Sequence, residues 1–312
     1  VLNHCMGTSP FAMLYWNSTL NQPAANNPWL NQTATHDFNV GNDFNHDSPD
    51  TRYFVDRFTE YWIQEYKIDG YRFDLAKGFT QTYSVGNIGL WGQYDASRVY
   101  NITRMCAHID SVNAGTYKIL EMFADNSEET VYANQGIMLW GNSNYNYNEA
   151  TMGWVNTSNF SWASYQQRGW NQPSLISYME SHDEERLMYK NIQYGNSGSA
   201  PAYDIKDTIT GLARVELAAA FFIPIPGPKM IWQFGEMGYD YSINYCSNGT
   251  INTACRVDPK PIKWNYYTQF ARRKLYNVLA SLNMLKTSYP VFSTTNYQIQ
   301  FNGQFKRMHL ND

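Results

Sequence analysis

Short apolar runs alternate with longer amphipathic stretches along most of the chain, the pattern of a parallel α/β fold. Residues 51–66 place Phe54, Phe58, Tyr61, Trp62 and Glu65 at helical spacing after the turn-forming Ser48, Pro49 and Asp50, which predicts a helix. The run 68–74 predicts a strand, 95–114 a helix feeding a second strand at 117–122, and 136–140 and 173–179 two more. A helix at 207–222 leads to a further strand at 229–233. A last helix over about 266–285 precedes two alternating runs, 297–301 and 305–310. The opening Val1-Leu2-Asn3-His4 is an apolar run ending in polar residues, and reads as a strand entered partway. With it the count is six strands of the βα type.

Residues 5–50 are polar and rich in Asn and Pro, too long for an ordinary βα loop, and are expected to form an inserted loop subdomain. The expected architecture is α/β: a TIM-type (β/α)8 barrel over 1–288, incomplete because strands 1 and 2 are missing. The start of a C-terminal β-sandwich domain is expected at 289–312. A doubly wound sheet would show a Gly-rich phosphate turn after an early strand, and none is present. An incomplete barrel leaves a strand edge open, so residues 1–312 by themselves are expected to be molten or insoluble and inactive.

Composition sharpens the picture. At 312 residues and 43% hydrophobic the chain can bury a sizeable core. A net charge of −4 speaks against a phosphate-tracking surface, so no nucleic-acid partner is expected. The 25 Tyr and 10 Trp lean towards carbohydrate, because sugars present flat C–H faces that stack on large rings. No apolar run approaches the ~20 residues that span a bilayer. The apolar stretch 215–225 runs into Pro224, Pro226 and Pro228 and reads as a buried helix entering a strand. Cys246 and Cys255 flank a polar, Gly-containing stretch that a disulfide would close, with a stabilisation of roughly 2–3 kcal/mol. That pairing suggests an oxidising compartment, hence an extracellular, periplasmic or cell-surface location. Cys5 and Cys106 read as ordinary thiols.

The informative chemistry is where the acids fall. Asp74 ends the first full strand, Glu121 the next, and Asp183 a later one beside His182. Residues i and i+2 of a strand share a face, so Arg72 and Asp74 point the same way and the guanidinium can hold the carboxylate ionised. Glu121, framed by Leu120, Met122 and Phe123, is expected to keep its proton through desolvation. Glycoside hydrolysis with retention needs this division: a carboxylate that attacks and a carboxylic acid that protonates the leaving oxygen, about 5–5.5 Å apart.

At this point the residues resemble the α-amylase family of glycoside hydrolases. Gly70-Tyr71-Arg72-Phe73-Asp74-Leu75-Ala76-Lys77 is similar to its nucleophile motif, Leu120-Glu121 to its acid/base strand, and Ser181-His182-Asp183 to its third-carboxylate motif. Asn3-His4 looks like the pair that closes the third barrel strand. The resemblance covers essentially the whole chain and keeps the family's motif order. It implies Asp74 as nucleophile, Glu121 as acid/base and Asp183 as the supporting carboxylate that binds ring hydroxyls. It further implies that His4 and His182 contact the sugar, that Lys77 reaches the leaving-side sugars, and that Asn3 is a candidate ligand of a structural Ca²⁺. The partner it implies is an α-glucan polysaccharide or oligosaccharide, with cleavage of α-1,4 bonds through a covalent glycosyl-enzyme as the first reading. Ser181 stands where many α-amylases carry Asn, and Met122 where a small residue is usual. Debranching at α-1,6 bonds and transglycosylation therefore stay open. A metal-dependent hydrolase would need His-x-His or HExxH spacing, which is absent. A barrel that only binds glucan would be expected to have lost one of the three acids, and all are present.

Overall fold

The computed structural model describes residues 3–39, 41–198 and 203–311. It contains a five-stranded parallel half-barrel sheet in sequential order: β1 (Gly70–Phe73), β2 (Tyr117–Leu120), β3 (Met138–Asn142), β4 (Leu175–Tyr178) and β5 (Lys229–Met230). These are the five internal strands that the apolar runs predict, four of them shorter than predicted and β3 shifted by two residues, from 136–140 to Met138–Asn142. Strand β1 pairs with β2 in the register Gly70↔Tyr117 to Phe73↔Leu120. The chain divides into two compact units, Val1–Trp140 with Gly169–Ser174, and Gly141–Arg168 with Leu175–Asp312.

In the first unit, helix α1 (Pro49–Tyr66) starts as its sequence dictates. Ser48 caps it by accepting the N–H of Asp50, Pro49 occupies the first turn, and Lys67 ends it in the left-handed conformation at φ 54°. Its fully buried stripe is Thr51, Val55, Thr59 and Ile63 rather than the aromatic positions. Those rings form a contact chain along the flank instead, with Trp62 and Tyr66 centroids 4.5 Å apart. Helix α2 (Ala96–Val112) is capped by Asp95 and buries Arg98, Ile102, Met105, Cys106 and Ile109. Arg98 is completely buried, and its Nε and Nη2 donate to the two carboxylate oxygens of Glu128 at 2.7 and 2.6 Å. Its remaining N–H groups reach the carbonyls of Lys77, Trp91 and Gln93 at 2.9–3.1 Å. Glu128 lies on α3 (Asn126–Asn134), a helix that the hydrophobic pattern does not reveal.

The N-terminal expectation needs correcting. Among the described residues, His4–Cys5 pairs antiparallel with Asn42–Asp43 and is not a strand of the parallel sheet. Two residues flanked by turns are too short to propagate a ladder, and the polar stretch after them folds back to supply the partner. Val1 and Leu2 lie outside the described residues. The insertion builds its own small core from Ala12, Leu30 and Phe44, packed by Phe11, Trp16 and Trp29.

In the second unit, α4 (Asn144–Met152), α5 (Leu187–Tyr194), α6 (Thr208–Phe222) and α7 (Phe270–Ser288) enclose a core that includes Leu187, Leu212, Val215, Phe222, Leu275 and Leu279. The apolar stretch after residue 215 is the buried face of α6, as expected. The last two runs form an antiparallel hairpin, Tyr297–Gln300 with Arg307–Leu310, which lays Ile299, Phe301 and Met308 on that core. Cys246 and Cys255 are disulfide-bonded, and Cys5 and Cys106 are free thiols. No helix among the described residues is long and apolar enough to cross a membrane.

Candidate active site

The register of the first two strands places the acids. Phe73 and Leu120 are the last paired residues, so Asp74 and Glu121 leave the sheet side by side at its carboxyl edge. Glu121 stays attached there: its N–H donates to the Phe73 carbonyl at 3.0 Å and its carbonyl accepts from Ala76 at 2.9 Å. Arg72 bridges the pair. Its Nη1 donates to Asp74 Oδ1, and its Nη2 lies 3.1 Å from Glu121 Oε2. The guanidinium rests on the Trp140 ring, 4.0 Å from the centroid.

One cation between two acids does not treat them alike. Burial pushes the Asp74 carboxyl up, but the hydrogen bond and charge of Arg72 outweigh it, helped by a hydrogen bond shared with Glu121. The net result lies below the ordinary range. Burial also pushes Glu121 up, and there the Asp74 charge adds to it. Together they exceed the lowering by the Leu75 N–H and by Arg72. The side chain of Glu121 is 12% exposed against 32% for Asp74, which is why desolvation prevails at one and the cation at the other. The two proton affinities therefore part in opposite directions, Asp74 towards the ionised form and Glu121 towards the protonated one.

Lys77 sits one short turn beyond Asp74. Its ammonium donates to the Phe123 carbonyl at 3.2 Å and stands over the Trp91 ring at 4.1 Å. Burial, then the charge of Arg98, lowers its pKa. His4 is nearly buried and neither ring nitrogen has a hydrogen-bond partner; burial lowers its pKa against the opposing charge of Asp43. Asn3 is fully buried. Its Oδ1 and Asp43 Oδ1 both lack hydrogen-bond partners, and His36 Nε2 lies 3.5 Å from Asn3 Nδ2 and 3.6 Å from Asp43 Oδ1. Two buried, unpartnered oxygens suit a hard cation in donor chemistry. No group of three or more His, Cys, Asp or Glu among the described residues gathers to hold a metal.

In the second unit, His182 and Asp183 are exposed, and Asp183 does not end a strand as expected. Strand β4 stops at Tyr178, and the five residues to Asp183 form a loop. The loop is tied by buried polar groups: Glu180 accepts the N–H of Leu187 at 2.6 Å, and Arg186 donates to the Ser181 carbonyl at 2.8 Å. Glu180 thereby satisfies a first-turn donor of α5, and Arg186 a carbonyl of the loop itself. Asp183 Oδ2 lies 3.2 Å from His182 Nε2, and its other oxygen accepts from Arg256. Arg256 and the rings Trp140 and Trp91 were not singled out from the sequence. Trp140 lies within a predicted strand, where alternation offered a signal; Arg256 offered none, because its partner is 73 residues away in the chain.

No protein-family model matches the sequence, and no curated protein matches it. Solved structures do. A type III pullulan hydrolase from Thermococcus kodakarensis is similar at a TM-score of 0.62 and 15% identity, over 99% of this chain and 50% of that one. A type I pullulanase from Bacillus subtilis str. 168, complexed with maltose, gives 0.61 and 17%, over 100% and 44%. Pullulanase from Bacillus acidopullulyticus gives 0.56 and 19%, over 83% and 32%. The chain thus spans a third to a half of the length of these structures. Its fold is that of the α-amylase family of glycoside hydrolases, the family whose motifs its sequence resembles.

Proposed function

We propose that this chain carries the catalytic groups of a retaining α-glucan hydrolase. The observation that supports this best is the single guanidinium of Arg72 reaching both Asp74 and Glu121 while their proton affinities part in opposite directions. Asp74 attacks the anomeric carbon as Glu121 donates its proton to the departing glycosidic oxygen. Glu121, now a carboxylate, takes a proton from water as that water's oxygen displaces Asp74, and the acid is regenerated. Asp183 and His182 take the motif's role of holding ring hydroxyls, and His4 and Lys77 the sugar contacts that the resemblance implies. Asn3 and Asp43 would hold a Ca²⁺, which would brace the insertion and supply none of the chemistry. An extracellular or cell-surface location accords with the disulfide.

The bond is the finer question. The names of the similar structures, pullulanase and pullulan hydrolase, favour α-1,6 cleavage at least as much as α-1,4. Product analysis of the full-length protein on soluble starch, pullulan and amylopectin separates these from each other and from glucosyl transfer. Asp74→Asn tests the chemistry itself: turnover is expected to fall by more than about 10³-fold with oligosaccharide binding kept. Near-normal turnover in that variant overturns the reading.

A further inference from the structure

The disulfide loop of the second unit reaches back to Asp183. Beyond the Cys246–Cys255 bond, Cys246 N–H donates to the Thr250 carbonyl at 2.8 Å, and Tyr245 and Ile251 bridge across the loop. The Lys260 ammonium fastens its base, donating to the carbonyls of Tyr245 at 3.1 Å and Cys255 at 2.6 Å. Arg256 follows the second cysteine directly, and its guanidinium donates to Asp183 Oδ1. Arg256, Asp183 and His182 line a cleft of about 380 Å³ together with Trp232, Tyr239 and Lys260, a size that suits a small sugar segment.

The geometry points to Arg256 as a positioning residue for Asp183. Crosslink and lysine fix the loop, the loop fixes the guanidinium, and the guanidinium fixes one carboxylate oxygen. The other oxygen, 3.2 Å from His182 Nε2, then keeps one orientation in which it and the imidazole meet an incoming sugar hydroxyl together. An ion pair this exposed contributes little to stability, so orientation is the better account of a rigid loop spent on holding it. The inference rests on Asp183 being the supporting carboxylate.

The test uses the full-length protein with whichever of soluble starch or pullulan it hydrolyses, measuring kcat and KM. Arg256→Ala is expected to lower kcat about tenfold with KM little changed, as for an interaction realised in the transition state. Arg256→Lys recovers part of the loss, and millimolar guanidinium ion raises kcat of Arg256→Ala but not of the parent. The paired replacement Cys246→Ser with Cys255→Ser reproduces the loss, and adding Arg256→Ala to it brings no further fall. Unchanged kcat in Arg256→Ala, or losses that multiply in the triple variant, overturns the proposal. Asp183→Asn separates the two levels. If it is inactive while Arg256→Ala is normal, only the positioning role fails; if it is fully active, the reading beneath fails as well.

Discussion

The backbone N–H of Leu75 donates to the carboxylate of Glu121 at 2.8 Å, from a residue held in the left-handed conformation at φ 44°. That conformation is unfavourable for leucine and turns the chain sharply just after Asp74. The turn aims a fixed donor at Glu121 Oε2, the oxygen that Arg72 also faces. One strand end therefore both carries the first acid and orients the second.

Glu121→Gln should separate the two halves of the reaction. Without the acid, natural substrates are expected to slow by about 10²–10⁴-fold. A substrate with an activated leaving group still forms the glycosyl-enzyme, and azide then restores turnover by replacing the water that lacks a base. Stopped-flow release of the leaving group with and without azide measures this. If Asp183→Asn shows the rescue instead, the two roles have been exchanged.

Arg72→Gln should shift the pH profile in one direction. Arg72 lowers both carboxyls, so its loss lets both rise. Asp74 must be ionised to attack, so the acid limb moves to higher pH; Glu121 must be protonated to donate, so the alkaline limb moves the same way. The whole bell in kcat/KM is expected to slide towards alkaline pH as it falls in height. A lowered bell with unmoved limbs speaks against the electrostatic account.

Gly70→Ala should loosen the strand pair that sets the acids side by side. A Cβ there would lie 2.6 Å from both the carbonyl oxygen and the Cβ of Tyr117 on the neighbouring strand. Backbone cannot yield as a side-chain tip can, so a cost of about 1–3 kcal/mol is expected. Urea unfolding monitored by tryptophan fluorescence reads the shift in midpoint.

Chelation tests the calcium proposal. A cation bound at a hundredfold excess over its Kd stabilises by about 2.7 kcal/mol, so EDTA should lower the melting temperature of the full-length protein and added Ca²⁺ should restore it. In Asn3→Ala that sensitivity should be lost. A melting temperature indifferent to EDTA removes calcium from the proposal.

The legible parts were those where local pattern and final contact coincide. Strand alternation put Arg72 and Asp74 on one face, and they do pair. Four residues separate Asp183 from its strand, and the side-chain ties that Glu180 and Arg186 make there leave no periodic trace. Helix α4 was missed for a related reason. Its Asn-Tyr-Asn-Tyr-Asn-Glu start has poor helix propensity, and the contacts that anchor it are tertiary: Asn144 Nδ2 donates to the carbonyls of Met179 and Glu185 at 2.7 and 2.8 Å. In α1 the spacing of the aromatics marked the helix, while Thr51 and Thr59 share its deeply buried stripe with Val55 and Ile63.

Arg98 and Glu128 have a consequence for how this chain can vary through descent. Every charged atom of the pair is enclosed and bonded, with Tyr132 Oη donating to Glu128 Oε1 at 2.9 Å besides. Replacing either alone strands its partner's charge in the interior, at about 3–5 kcal/mol, whereas replacing both by well-packed apolar residues is often neutral. Homologous lineages should therefore hold both residues or neither, with few intermediates. Directed evolution that samples one codon at a time should find these two positions immovable.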